Sequence, residues 1–336
     1  MSELRKDPIV DRWVIVSPER SRRPSDVHLE PGGQSSNVCP FCPGHEHMTP
    51  REVLAYRPCH SLPDTPGWAV RVVPNKYPAL GLDGALGENG GGVFGAMNGV
   101  GVHEVIIETS AHEASLATLP VRQVEHVLWA FRSRMQELRQ DRRLQAGLIF
   151  KNHGAAAGAT LQHPHSQLIA LPIVPKNLRE ELAGSSRYYH EHGRCLFCDL
   201  IAQEVRLARR VIGENAAFIA LAPFASRFPF EMWILPKGHA ASFATGGGEA
   251  DGLLARMLQK VLQRAYGLLH DPAYNLVLHS TPWCNAHEWS YHWRLEIIPR
   301  LAGVAGFEWG SGFFINTTTP EAAACALRGV SDGGRD

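Results

Sequence analysis

The chain has 336 residues, 44% hydrophobic and 20% charged, the composition of a globular protein with room for two domains or one duplicated unit, and neither disorder nor membrane insertion is expected. Its 33 basic residues are matched by 33 acidic ones, so it lacks the charge excess that holds a nucleic-acid backbone. No apolar leader follows Met1-Ser2-Glu3-Leu4-Arg5-Lys6-Asp7 and no apolar run reaches the length of a membrane span, which makes the cytoplasm the expected location.

The first strand signal is Arg12-Trp13-Val14-Ile15-Val16, ended by Ser17-Pro18. Arg20, Arg22 and Arg23 then crowd a short loop, a pattern that fits either a solvated segment or a guanidinium clamp on phosphate oxygens. A polar stretch delivers Cys39-Pro40-Phe41-Cys42, which alone reads as a redox pair or a metal knuckle. Residues 70–80 read as a strand running into a turn at Asn75-Lys76-Tyr77, and 81–101 is glycine-rich and expected to be mobile. A β-branched strand over 102–109 leads through Ser110-Ala111-His112-Glu113 toward a helix. There Val124, Leu128, Phe131, Met135 and Leu138 recur at helical spacing, with Arg132, Glu137 and Arg139 on other faces, so the helix is expected to cover a sheet. Gly147-Leu148-Ile149-Phe150 is the next strand.

The stretch that organises the chain follows, from Asn152 to Pro172. Its Gly154-Ala155-Ala156-Ala157-Gly158-Ala159 portion lets a ligand approach the backbone closely, with amide donors open to a phosphate. The strand period after it is expected to put His163, His165 and Gln167 on one face. Two imidazoles and an amide facing one way make a poor apolar core, which marks the face as a site.

The second half repeats this order. Cys195-Leu196-Phe197-Cys198 echoes the first knuckle, the strand ending at His239 echoes the one ending at His112, residues 253–269 form another amphipathic helix, and Tyr291-His292-Trp293-Arg294-Leu295-Glu296 echoes the histidine strand. The histidine offsets between the halves nearly agree and the cysteine offset is longer, so the loop after the first knuckle is the longer one. We read a duplicated α+β unit, 1–180 and 181–336, whose mostly antiparallel strands are backed by one helix per half.

Tetrahedral zinc takes four sulfur or nitrogen donors, which a thiolate knuckle and two imidazoles supply. We therefore expect Cys39, Cys42, His112 and His163 as one zinc site and Cys195, Cys198, His239 and His292 as a second. The leftover Cys59, Cys284 and Cys325 are expected to be buried thiols. With His163 matched to His292, His165 matches Arg294 and Gln167 matches Glu296, so a second histidine survives only in the first half. A neutral imidazole with one nitrogen held and the other aimed at phosphorus is a competent nucleophile, and His165 is the candidate.

His163-Pro164-His165-Ser166-Gln167, the preceding Asn152-x-Gly154 and the paired Cys/His sets resemble the galactose-1-phosphate uridylyltransferase branch of the histidine-triad superfamily, from Arg12 to about Glu321. The resemblance implies a duplicated histidine-triad fold, two structural zinc ions, a homodimer, and ping-pong transfer through nucleotidylated His165 between a nucleotide sugar and a sugar 1-phosphate. It further implies that Gln167 holds the transferred phosphoryl group, that Thr160 and Asn152 contact phosphate or ribose with Ser166 also at the substrate, that Arg20 and Arg23 lie near the phosphates, and that Asn75 belongs to the nucleoside pocket. Residues 305–316 depart from members best known for galactose use. Only Phe307 and Gly310 align, and the segment is similar to uridylyltransferase-like bacterial proteins and to ADP-glucose phosphorylases. Adenylyl transfer from ADP-glucose to phosphate is therefore the alternative activity, and a zinc-stabilised nucleotide-binding protein without catalysis the non-enzymatic one.

Overall fold

The structure, a computed structural model, describes residues 2–6, 13–16, 38–87, 90–283 and 287–330. Arg20, Arg23 and Cys284 lie outside the described residues. The elements of the first half are β1 (Glu3–Lys6), β2 (Trp13–Val16), β3 (Leu54–Tyr56), β4 (Val70–Pro74), β5 (Gly95–Asn98), β6 (Val102–Ile107), α1 (Val121–Leu138), β7 (Ala146–His153) and β8 (His165–Leu171). The second half adds α2 (Lys176–His192), α3 (Leu196–Leu207), β9 (Val211–Glu214), β10 (Phe218–Leu221), β11 (Met232–Pro236), α4 (Glu249–Leu269), β12 (Tyr274–His279), β13 (Arg294–Pro299), α5 (Gly306–Ser311) and α6 (Pro320–Gly329).

Ten strands form one sheet in the order β3-β4-β6-β8-β7-β12-β13-β11-β10-β9. Read outward from the β7–β12 junction, both halves show the same succession, and every named pairing is antiparallel. The duplication expected from the motif order is thus a duplication of strand topology. Residues of β6 and β8 alternate between the faces. Ile106 and Leu168 enter a core with Val124, Leu128, Phe131 and Met135 of α1, while Val105 and Ile107 turn to the other face with Phe41 and Trp68. The helix-side core continues without a break through Leu258, Val261 and Leu262 of α4 to Leu276 and Leu295. Each large side chain buried there contributes roughly 1.5–3 kcal/mol. On the opposite face α2 and α3 bury Leu182, Phe197 and Ile201 against Ile219, Leu221 and Leu235.

Four expectations are corrected. Arg132, expected off the apolar face of its helix, is buried between α1 and α4, ion-paired to Asp251 at 2.5 Å and lying over the Phe243 ring at 4.2 Å. A buried guanidinium needs such a partner, and helical spacing does not show which face a neighbouring helix covers. The glycine-rich 81–101 segment contributes β5, which pairs with β1 in a three-stranded sheet of order β2-β1-β5. Cys59 and Cys325 are exposed. His163 precedes β8, as His292 precedes β13, so both ligand histidines sit on the turn into the strand rather than within it. Among the described residues no helix is long and apolar enough to cross a membrane.

Candidate active site and metal-ligand groups

The turn before β8 places His163 against the knuckle. The ligand atoms of Cys39, Cys42, His112 and His163 all lie within 4.8 Å of one another, and those of Cys195, Cys198, His239 and His292 do the same in the second half. His163 donates from Nε2 to the carbonyl of Thr109 at 2.8 Å, which leaves Nδ1 toward Cys42 Sγ at 3.6 Å. His292 is built alike, with Nε2 on the Pro236 carbonyl at 2.9 Å and Nδ1 toward Cys198 Sγ at 3.8 Å. His239 gives Nε2 to the Glu288 carbonyl at 2.8 Å. A backbone acceptor on the far nitrogen is what fixes the tautomer of a metal-binding imidazole. Burial pushes His163 and His292 down to about 4, so both rings are neutral and ready to ligate. Burial likewise pushes Cys39 up to about 11 and Cys198 up to about 12, and a bound cation would draw such thiols into the thiolate form. Both groups fit a metal that accepts two sulfurs and two nitrogens.

Beside the first group, a cavity of about 260 Å³ opens on the face away from α1. Phe41, Val73, Val105 and Leu161 supply apolar wall, and Asn75, Thr160, His165 and Gln167 the polar groups. His165 donates from Nδ1 to the carbonyl of His163 at 2.8 Å, so the ring's lone pair is on Nε2. The Phe41 ring packs edge-on to it at 5.4 Å between centroids. Gln167, one pleat along, accepts on Oε1 from His103 Nε2 at 2.9 Å. The Gly154 to Gly158 loop needs positive φ at both ends, 78° and 85°, which glycine supplies without strain.

Not every expected residue faces the cavity. Ser166 is turned to the helix side by the strand alternation and donates to Glu108 at 2.6 Å, so its place at the substrate is withdrawn. Asn152 lies on β7 rather than in a loop, and accepts on Oδ1 from Asn275 Nδ2 at 2.8 Å. His103, Glu108, Lys151 and Asn275 belong to none of the sequence motifs, and the structure brings them to the site strands. Lys151 and Glu108 form a buried ion pair of 2.8 Å under β8, with Lys151 Nζ also 3.3 Å from the His165 carbonyl. The available signal was a charged or amide side chain inside an otherwise apolar strand, but its partner depends on register. Trp293 is core against Phe218 and Phe243, while Trp283 and the exposed Trp289 line a separate cavity of about 290 Å³.

The second half keeps the frame, with Arg294 where the first half has His165. Where Phe41 meets His165, Phe197 meets the Arg294 guanidinium at 5.8 Å, and Arg294 is locked to Glu181 at 2.7 Å.

Comparison with known proteins agrees with this architecture. Residues 1–175 match the sequence model of the galactose-1-phosphate uridyl transferase N-terminal domain, and residues 181–332 match that of its C-terminal domain. An ADP-glucose phosphorylase from Arabidopsis thaliana is 38% identical over 98% of this chain and 93% of its own length. A galactose-1-phosphate uridylyltransferase from Thermotoga maritima is 31% identical over 98% of both chains. Among solved structures, an Arabidopsis thaliana ADP-glucose phosphorylase with bound ADP-glucose superposes with a TM-score of 0.78 at 35% identity, covering 98% of this chain and 99% of that one. A uridylyltransferase structure gives 0.81 at 28% identity over 97% of each chain. With both domain models matched in order on one continuous sheet, the chain belongs to the galactose-1-phosphate uridyl transferase family.

Proposed function

We propose that the chain is a UDP-glucose–hexose-1-phosphate uridylyltransferase, with galactose 1-phosphate as the acceptor, working through a uridylyl group on His165. The observation that supports it most is the His165 ring, its Nδ1 committed to the His163 carbonyl and its edge in a cavity shared with Gln167. Nε2 attacks the α-phosphorus, the bond from phosphorus to the bridging oxygen breaks, and glucose 1-phosphate leaves with the electron pair. The imidazole becomes cationic while Nδ1–H still donates to the carbonyl, which stabilises that charge. A phosphate oxygen of the hexose 1-phosphate then attacks the same phosphorus and the P–N electron pair returns to Nε2. Gln167, Asn152 and Thr160 hold the phosphoryl oxygens or ribose, and Asn75 contributes to the nucleoside pocket.

The donor sets favour zinc in both groups, held by Cys39, Cys42, His112 and His163 and by Cys195, Cys198, His239 and His292. Zinc supplies a cross-link between knuckle and sheet, since four protein donors leave no open position. The halves 1–180 and 181–336 act as two domains, only the first with a nucleophile. Exposed Phe307, Trp309, Phe313 and Ile315 support pairing into a homodimer, and thiol-rich metal groups suit the reducing cytoplasm.

The 38% identity to the Arabidopsis thaliana ADP-glucose phosphorylase favours a second reading, adenylyl transfer from ADP-glucose to inorganic phosphate at the same histidine. Initial rates separate these. With UDP-glucose and galactose 1-phosphate as the working pair, parallel double-reciprocal lines are expected; saturation by ADP-glucose and phosphate alone would move the assignment to the second reading, and intersecting lines would count against a covalent intermediate in either.

A further inference from the structure

Two side-chain amides at the site, those of Gln167 and Asn152, are useful to a phosphoryl group only if their nitrogen ends face it. The amide oxygen would repel the same anion. What decides the orientation is visible in each case from a backbone group that has a single hydrogen-bonding role.

His103 Nδ1 lies 3.0 Å from the backbone N–H of Ala79, which can only donate, so Nδ1 is the acceptor and the ring proton is on Nε2. That proton meets Gln167 at 2.9 Å, and the atom it meets has to be the amide oxygen. Asn75 Nδ2, 3.1 Å from the same Nε2, is itself a donor, its own oxygen accepting the Tyr77 N–H at 2.9 Å, and does not compete for the proton. On β12, Asn275 Nδ2 donates to the carbonyl of Ala157 at 2.9 Å, and a carbonyl can only accept. The same NH2 meets Asn152 at 2.8 Å, so Asn152 turns its oxygen to β12, and its Nδ2 lies 3.5 Å from the carbonyl of Gly158 at the end of the glycine loop. Asn152 lies two residues beyond the Phe150–Gln167 pair that ends the β7–β8 ladder.

We propose that His103 and Asn275 are positioning residues that lock the Gln167 and Asn152 amides with their NH2 ends toward the phosphoryl group transferred at His165. This rests on the nucleotidyltransfer reading. It also makes the second half a part of the site, because Asn275 braces both Asn152 and the Gly154 to Gly158 loop from across the domain junction. An amide held in advance need not reorient as negative charge develops on the phosphoryl oxygens.

The experiment follows covalent labelling of the intact chain by mass, with saturating UDP-glucose or ADP-glucose and no acceptor. His103→Leu is expected to label about tenfold to a hundredfold more slowly, part of the loss seen when such a donor is removed outright. The half-saturating concentration is expected to move less than about threefold, the pattern of an interaction made in the transition state. His103→Gln, whose terminal NH2 reaches the position of Nε2, is expected to label within about threefold of the unaltered chain. Asn275→Asp, which sets an acceptor against the Asn152 oxygen, is expected to be slow, and each loss should vanish when Gln167→Ala or Asn152→Ala, respectively, is already present. Labelling at the unaltered rate in His103→Leu, His103→Gln as slow as His103→Leu, or losses that persist in those backgrounds would each overturn the proposal. Absence of any adduct in the unaltered chain overturns instead the reading on which it rests.

Discussion

His163 and His165 are two residues apart and do different work. His163 turns Nδ1 to the knuckle, and through its backbone carbonyl holds the ring of His165. His163→Asn is therefore expected to release one of two zinc equivalents and lower the Tm, while His165→Ala keeps both and forms no adduct. Metal analysis beside intact mass checks this, and equal zinc loss in the two variants would contradict the division. The loop glycines give a second prediction. A Cβ at Gly154, with φ of 78°, would sit 2.8 Å from the Ala273 Cβ. Gly154→Ala is thus expected to lose about 1–3 kcal/mol to backbone strain alone and to slow labelling by displacing the loop braced by Asn275. Adding Ala273→Gly should recover part of the labelling rate by removing the contact, and no recovery would place the effect in the backbone alone. The two Cys/His groups were legible because residue type, spacing and recurrence carry them. His103 and Asn275 were not, because their meaning lies in hydrogen bonds to other strands, and a sequence does not print register.

At the scale of elements, β8 and β13 are the same strand with different cargo. Where β8 begins with His165, β13 begins with Arg294, fully buried and bound to Glu181 by two hydrogen bonds of 2.7 and 3.0 Å. Burial pushes the Glu181 carboxyl up, but the Arg294 guanidinium, with the Tyr291 hydroxyl, outweighs it and holds the group below the ordinary carboxylate range. A carboxyl lowered in the folded state contributes stability that is fully present above the unfolded value and is lost as pH falls through the folded one. Arg294→Met alone is expected to cost about 3–5 kcal/mol near pH 7, since Glu181 keeps its charge after losing the guanidinium that offsets its burial. Pairing it with Glu181→Met should recover most of that loss. The double variant should also lose less stability than the unaltered chain between about pH 5 and pH 3, in the range of the ordinary carboxylate pKa. Urea midpoints at both pH values measure this, and an unchanged acid dependence would remove the pair from the account. The alternation of β8 could be read in advance, and it turns Ser166, which only the resemblance placed at the substrate, to the Glu108 side.

For the whole molecule, the two halves share one sheet through β7 and β12, and one helix-side core runs from Ile106 through α1 and α4 to Leu295. That continuity predicts one cooperative thermal transition, with calorimetric and van't Hoff enthalpies in agreement, and two separated transitions would contradict it. The duplication itself was legible from the order of knuckle, strand, helix and histidine strand. The meeting of the halves edge to edge, which brings Asn275 beside Asn152, was not, because antiparallel pairing between repeats leaves no local pattern in the chain. The measurement that tests the central claim most directly is the intact mass of the protein after separate incubation with UDP-glucose and ADP-glucose, without acceptor, for the unaltered chain and His165→Ala. A uridylyl adduct is expected in the unaltered chain from UDP-glucose and none in the variant. An adenylyl adduct alone would transfer the same chemistry to ADP-glucose, and the absence of an adduct from either, or its persistence in His165→Ala, would contradict the claim that His165 is the nucleophile.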